Sequence, residues 1–154
     1  MRNIARVLCL FLGLSLIANS YATGLTEEAV KQLILRVDNA INEKNAKAIE
    51  AELSKNVSIT INIDVNGQKQ VMKPSKHEYV SMLEQAWEQY SNYKYNRSNM
   101  VIKITSNKAV VTADVSESMT AQGQNISGSS KEEVIIELIE GKPLITAVTG
   151  YTSM

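Results

Sequence analysis

Between Leu53 and Val57 the apolar residues change their spacing from a period of about 3.6 to a period of about 2, which constrains the fold more than any other feature. Upstream, Val30, Leu33, Ile34, Val37 and Ile41 fall on one face of a helix. Thr26 is placed to cap that helix, and Glu27 and Glu28 suit its positive end. Asn42 to Asn45 breaks the pattern, and a shorter helix then turns Ala46, Ile49 and Leu53 inward. Downstream, Val57, Ile59, Ile61, Ile63 and Val65 alternate with Ser58, Thr60, Asn62 and Asp64, the pattern of a strand with one buried face. Helices come first and strands follow, so the chain reads as α+β.

Asn66-Gly67 predicts a two-residue hairpin turn, because both central positions of that turn need positive φ. Gln68 to Lys73 returns as a short strand that Pro74 ends. Ser75 and Glu78 have the spacing of a capping box, and they open a third helix with Tyr79, Leu83, Ala86, Trp87 and Tyr90 on its inner face. From there the pattern is strand after strand: Tyr93 to Thr105, a turn at Ser106-Asn107, Lys108 to Met119, a polar loop from Thr120 to Gly128, Ser129 to Ile139, a turn at Gly141-Lys142-Pro143, and Leu144 to Tyr151. No repeat or linker interrupts the run.

The start of the chain carries different information. Arg2 and Arg6 precede an apolar run from Val7 to Ala18, and Ser20-Tyr21-Ala22 places small residues at a cleavage point, the layout of a secretory signal. The run is too short for a comfortable membrane span. Residues 1–22 are therefore read as a signal peptide and residues 23–154 as one domain, exported to the periplasm or the extracellular space. Cys9 is the one cysteine and leaves with the peptide, so the domain is expected to hold together by packing without disulfides. Acidic and basic residues balance at 16 each in the whole chain. Loss of Arg2 and Arg6 tips the remainder slightly acidic, which argues against nucleic acid as a partner and against a bound anionic membrane. With His77 as the single histidine, a nitrogen- or sulfur-rich metal site cannot be assembled, and no cofactor is implied.

The order helix, helix, hairpin, capped helix, long meander resembles the nuclear-transport-factor-2-like (SnoaL-like) superfamily over nearly all of Leu25 to Tyr151. The resemblance rests on element order, on the Asn66-Gly67 hairpin and on the Ser75–Tyr90 helix. It implies a cone-shaped, strongly bent antiparallel sheet wrapped around two or three N-terminal helices, the cystatin-like architecture, with a pocket at the wide end. Such folds serve isomerases, dehydratases, cyclases and many non-catalytic modules, so the fold does not choose a function. Ketosteroid-isomerase-like members carry a general-base aspartate on the first strand, where this chain has Ile61, and the first helix here has no tyrosine. An isoleucine cannot take a proton, so this chain departs from that pattern at its central residue.

One other acid–base candidate follows from strand parity. If Ile104 pairs with Ala109 and Ile102 with Val111, then Met100, Ala113, Val115 and Glu117 share one face, with Glu117 opposite Asn96. A carboxylate at the polar end of an apolar concave face suits acid or base work. Tyr79, Leu83, Trp87 and Met100 are the expected walls of a cavity for a small apolar ligand, with Asn96 and Glu117 toward its mouth. His77, in the first turn of its helix, and Asp64, facing Lys69 across the hairpin, are better read as surface residues. The expected function is a non-catalytic small-molecule-binding or assembly module. The alternatives are a small-molecule enzyme using Glu117 and a structural subunit of an envelope assembly.

The last two strands are apolar on both faces, with Val134, Ile136 and Leu138 on one and Ile135 and Ile139 on the other. One face covers the helices and the second needs a partner. A homodimer through the sheet's outer face, with Ile135 and Val148 at the contact, is the expectation.

Overall fold

A computed structural model describes residues 24–153 of the chain. The expected signal peptide, Cys9 and the expected cleavage point lie outside the described residues. Helix α1 (Glu27–Asn42) is capped by the Thr26 side chain, which accepts from the Ala29 N–H, and it buries Val30, Leu33, Ile34, Val37, Ala40 and Ile41. Helix α2 (Ala46–Glu52) is capped by Asn45 and buries Ala46 and Ile49. Helix α3 (Lys76–Gln89) has the full capping box: the Glu78 N–H bonds Ser75 while the Glu78 carboxylate accepts from the Ser75 backbone. Its deeply buried residues are Val80 and Trp87, with Tyr79 and Leu83 packed partly buried against the same core.

Six strands follow the helical pattern: β1 (Leu53–Val65), β2 (Gln68–Met72), β3 (Ser91–Thr105), β4 (Lys108–Ala121), β5 (Gln124–Ile139) and β6 (Lys142–Ser153). They form one open, curled sheet in the order β2-β1-β6-β5-β4-β3. The hairpin register is the one the sequence predicts, with Asp64 opposite Lys69 and Val65 opposite Gln68. Asn66 and Gly67 have φ of 52° and 83°, as that turn requires.

Three differences from expectation appear in the strands. The sheet is mixed and not wholly antiparallel, because β1 pairs parallel with β6. Alternation marks a strand but not its distant neighbour, and β1 reaches β6 only across α3 and the meander. The expected polar loop from Thr120 to Gly128 is a tight turn at Gln122-Gly123, both at positive φ, so β4 and β5 stay paired to Ala121 and Gln124. The last hairpin likewise turns at Glu140-Gly141, one step before the expected Gly141-Lys142-Pro143.

The core lies between the helices and one face of the sheet. Leu33 and Val30 of α1 are fully enclosed, as are Val111 of β4 and Ile136 of β5. Val148 belongs to this inner face: it pairs with the buried Val134 and packs against the core. It is therefore not on the outer surface where the sequence reading placed it. Ile135 does face outward, beside Val110 and Ala147. Among the described residues no helix is long and apolar enough to cross a membrane.

Candidate functional site

The decisive local feature is a bulge in β3. Ile104 pairs with Ala109 and Ile102 with Val111, but the register shifts between Ser98 and Val101, where Asn99 has a φ of 51°. An extra residue on one strand reverses its facing beyond that point. On β4 the alternation continues undisturbed, so Glu117 keeps the facing of Ala113 and Val115. On β3 it does not. Arg97 pairs with Val115 and Tyr95 with Glu117, so Tyr93, Tyr95 and Arg97 enter the cone. Asn96 is consequently opposite Ser116 and exposed, away from Glu117, and Met100 sits at the bulge with 37% of its surface exposed. Of the expected cavity residues, Tyr79, Leu83, Trp87 and Glu117 are brought to the inner side, and Asn96 and Met100 are not.

What fills the inner side is a set of polar groups that bond to one another. The Tyr93 hydroxyl donates to the Glu117 carboxylate, and the Tyr93 ring meets Trp87 edge-on with centroids 6.3 Å apart. Arg97, its side chain only 5% exposed, donates from Nε to Asp38 of α1 at 3.0 Å and from Nη1 to Glu132 of β5 at 2.6 Å. Its guanidinium lies 5.6 Å from the centre of the Tyr95 ring, within cation–π range. Burial opposes the Arg97 charge, yet Glu132, Tyr95 and Asp38 outweigh it and hold its pKa above the ordinary value. Burial raises the Asp38 pKa against the pull of Arg97. It also raises the pKa values of Tyr79, Tyr93 and Tyr95, with nearby carboxylates adding to the effect, so all three phenols stay protonated as donors. The Tyr95 hydroxyl is buried and has no hydrogen-bond partner among the described residues.

Sequence reasoning missed Asp38, Arg97 and Glu132. Arg97 next to an apolar alternation reads as a surface residue unless the Asn99 bulge is known, and only asparagine's tolerance of positive φ hints at that bulge. Among the described residues no three of His, Cys, Asp and Glu lie close enough together to hold a metal ion.

The opposite face of the sheet is open. A groove of about 650 Å³ takes lining residues from all six strands, Val71 of β2, Asn62 of β1, Tyr151 of β6, Lys131 of β5, Asp114 of β4 and Ser98 of β3 among them. Pairing places Asn62, Tyr151, Lys131, Asp114 and Ser98 side by side across that face. Tyr151 is 54% exposed. Lys131 binds Asp114 at 2.9 Å, and Asn99 of the bulge donates to the other oxygen of Asp114 at 2.8 Å. Asn99 and Lys131 thereby hold the Asp114 carboxyl below the usual aspartate range.

Solved structures share this architecture. An NTF2-like protein from Cytophaga hutchinsonii superposes with a TM-score of 0.65 at 12% identity, covering 83% of this chain and 99% of its own. An NTF2-like protein with a cystatin-like fold from Novosphingobium aromaticivorans gives 0.61 at 11% identity, with 82% and 80% covered. The hexachlorocyclohexane dehydrochlorinase LinA-type3 from Novosphingobium barchaimii gives 0.65 at 12% identity, with 81% and 84% covered. No protein-family model and no curated protein matches the sequence. The chain is thus an α+β protein of NTF2-like, cystatin-like fold. Proteins of that fold include both enzymes and proteins of unknown function, so the shared fold by itself assigns no activity.

Proposed function

We propose that this protein is an exported, non-catalytic binding module that takes a small molecule on the outer face of its sheet. The observation that carries the reading is the groove of about 650 Å³ built from all six strands, a volume in the range of small-molecule sites. Its lining offers hydroxyls, amides and four charges, Asp114 bound to Lys131 and Asp64 opposite Lys69, but no histidine or cysteine and no nucleophile held by a base, so it recognises without reacting. Inside the cone Glu117 is engaged by Tyr93, and Arg97 by both Asp38 and Glu132. Export rests on the order of residues 1–22. Association of two copies rests on the outward set Val110, Ile135 and Ala147, which lie next to one another across β4, β5 and β6 on the same face.

Amide-resolved NMR of the protein against a library of neutral and charged fragments tests this. Shifts clustered at Asn62, Asp114, Lys131 and Tyr151 support it. Shifts confined to Tyr79, Trp87 and Tyr93 contradict it.

The second reading, a small-molecule enzyme using Glu117, is favoured by one observation: the half-buried Glu117 faces the cone with the Tyr93 phenol bonded to it. On that reading Glu117 serves as acid or base, and Tyr93 orients it. Glu117→Gln then lowers turnover on the order of a hundredfold with binding kept, whereas a module that binds in the groove is unaffected.

A further inference from the structure

We propose that the outer-face groove binds a linear, neutral oligosaccharide of pyranose units. This rests on the reading of the groove as the binding surface and adds the chemical class of its ligand.

Shape comes first. A second cavity of about 330 Å³ shares Asp114, Lys131 and Tyr151 with the groove, and a third of about 550 Å³ shares Ser116 and Ser129. The three adjoin one another along the outer face through these shared residues, an extended trough that suits a chain of units better than one compact molecule. Charge comes second. The outward charges balance, with Asp64, Asp114 and Glu133 against Lys69, Lys94 and Lys131, and Asp114 is bound to Lys131. A balanced surface exerts no net pull on a phosphate, a nucleic acid or an organic cation.

Chemistry decides among neutral ligands. The groove combines Ser98, Ser129, Ser153 and Asn62 with the exposed Tyr151 ring. A pyranose presents the matching set, hydroxyls around its edge and a flat C–H face that packs on an aromatic ring. Asp114, kept ionised by Asn99 and Lys131, is a charge-strengthened acceptor for a sugar hydroxyl. A purely apolar ligand would instead bury these hydroxyls and amides without partners, at a cost of about 1–3 kcal/mol each. Asp114 is bound by both Lys131 and Asn99, so it serves as an acceptor for the sugar and not as a general acid.

The experiment is an amide-resolved NMR titration of the isotope-labelled protein with maltotriose, cellotriose and chitotriose, each taken to about ten times a millimolar Kd. At least one trisaccharide is expected to shift Asn62, Ser129, Lys131 and Tyr151 saturably. Tyr151→Ala should weaken that binding about threefold to tenfold, the scale of one aromatic contact, and Tyr151→Phe should retain it. Because Tyr151 is exposed, both variants fold, and their unperturbed core amides verify this. If none of the three sugars shifts the groove while other fragments do, the ligand class is wrong and the binding surface stands. If sugars and fragments alike leave the groove unmoved, both fail. If sedimentation shows a dimer whose interface covers Tyr151, a second copy occupies the trough and the proposal is overturned.

Discussion

Asn42 of α1 makes two backbone hydrogen bonds with Tyr95 of β3: the Tyr95 N–H donates to Oδ1 at 2.9 Å, and Nδ2 donates to the Tyr95 carbonyl at 3.0 Å. β3 is an edge strand, so the groups that point away from β4 have no strand to meet. One side-chain amide stands in for that strand and fastens the first helix to the sheet. Asn42→Ala should lower stability by about 1–2 kcal/mol in urea unfolding, because two half-buried backbone groups lose their partner and water replaces it only in part. No change in the unfolding midpoint would show that β3 is held by packing alone.

The Asp38–Arg97–Glu132 cluster gives the cone its pH response. Asp38 has a raised pKa, so folding favours its protonated form. That contribution is full at low pH and fades as pH rises through the ordinary aspartate range toward the raised value. Arg97→Met removes the cation and leaves two inward carboxylates uncompensated, which raises the Asp38 pKa further. The variant should lose about 3–5 kcal/mol near neutral pH and much less at about pH 4, where protonation relieves the burial of charge. Equal losses at both pH values would mean that the guanidinium acts through packing and not through charge.

The bulge residue Asn99 sits at a φ of 51° and also bonds Asp114. Asn99→Gly keeps the backbone freedom and should change stability little, while a β-branched residue resists that conformation. Asn99→Val should cost about 1–2 kcal/mol and blur the register beyond Ser98. Cross-strand NOEs between Tyr95 and Glu117 report the register directly, and their persistence in Asn99→Val at full stability would show that the pairing does not depend on this residue.

These residues also mark the limit of what the sequence discloses. The caps at Thr26 and Ser75, the buried face of α1 and the Asn66-Gly67 register depend on neighbours a few residues apart, and each is visible as a spacing. Even the inward facing of Glu117 could be read, because β4 has no bulge. Asn96 and Met100 were misplaced because a single positive φ at Asn99 reverses the facing of the rest of β3, and asparagine occurs for many reasons. The Arg97 cluster joins three elements far apart in sequence, and the pairing of β1 with β6 is decided by how the whole sheet closes. The groove was invisible for the same reason: its lining is scattered over six strands as ordinary polar residues on solvent faces.

Ile135, Val110 and Ala147 form a contiguous apolar set on the outer face. If two copies meet there, Ile135→Lys should convert the protein to a monomer at tens of micromolar, since a lysine cannot be buried without a partner at such a contact. Sedimentation velocity checks this. A wild-type protein already monomeric at about that concentration, which implies a Kd weaker than about micromolar, removes the association from the account.

The most direct test of the central claim compares two variants in one fragment-binding measurement. Ser129→Trp places an indole in the outer-face groove without touching the cone, and Glu117→Gln alters the cone's carboxylate, a residue that borders the third cavity but does not line the groove of about 650 Å³. Fragments that bind the wild-type protein, followed by amide shifts, should lose binding at least tenfold to Ser129→Trp and bind Glu117→Gln within about twofold, which is less than the effect of one lost hydrogen bond. Binding that survives Ser129→Trp and is lost in Glu117→Gln would place the site in the cone and contradict the account.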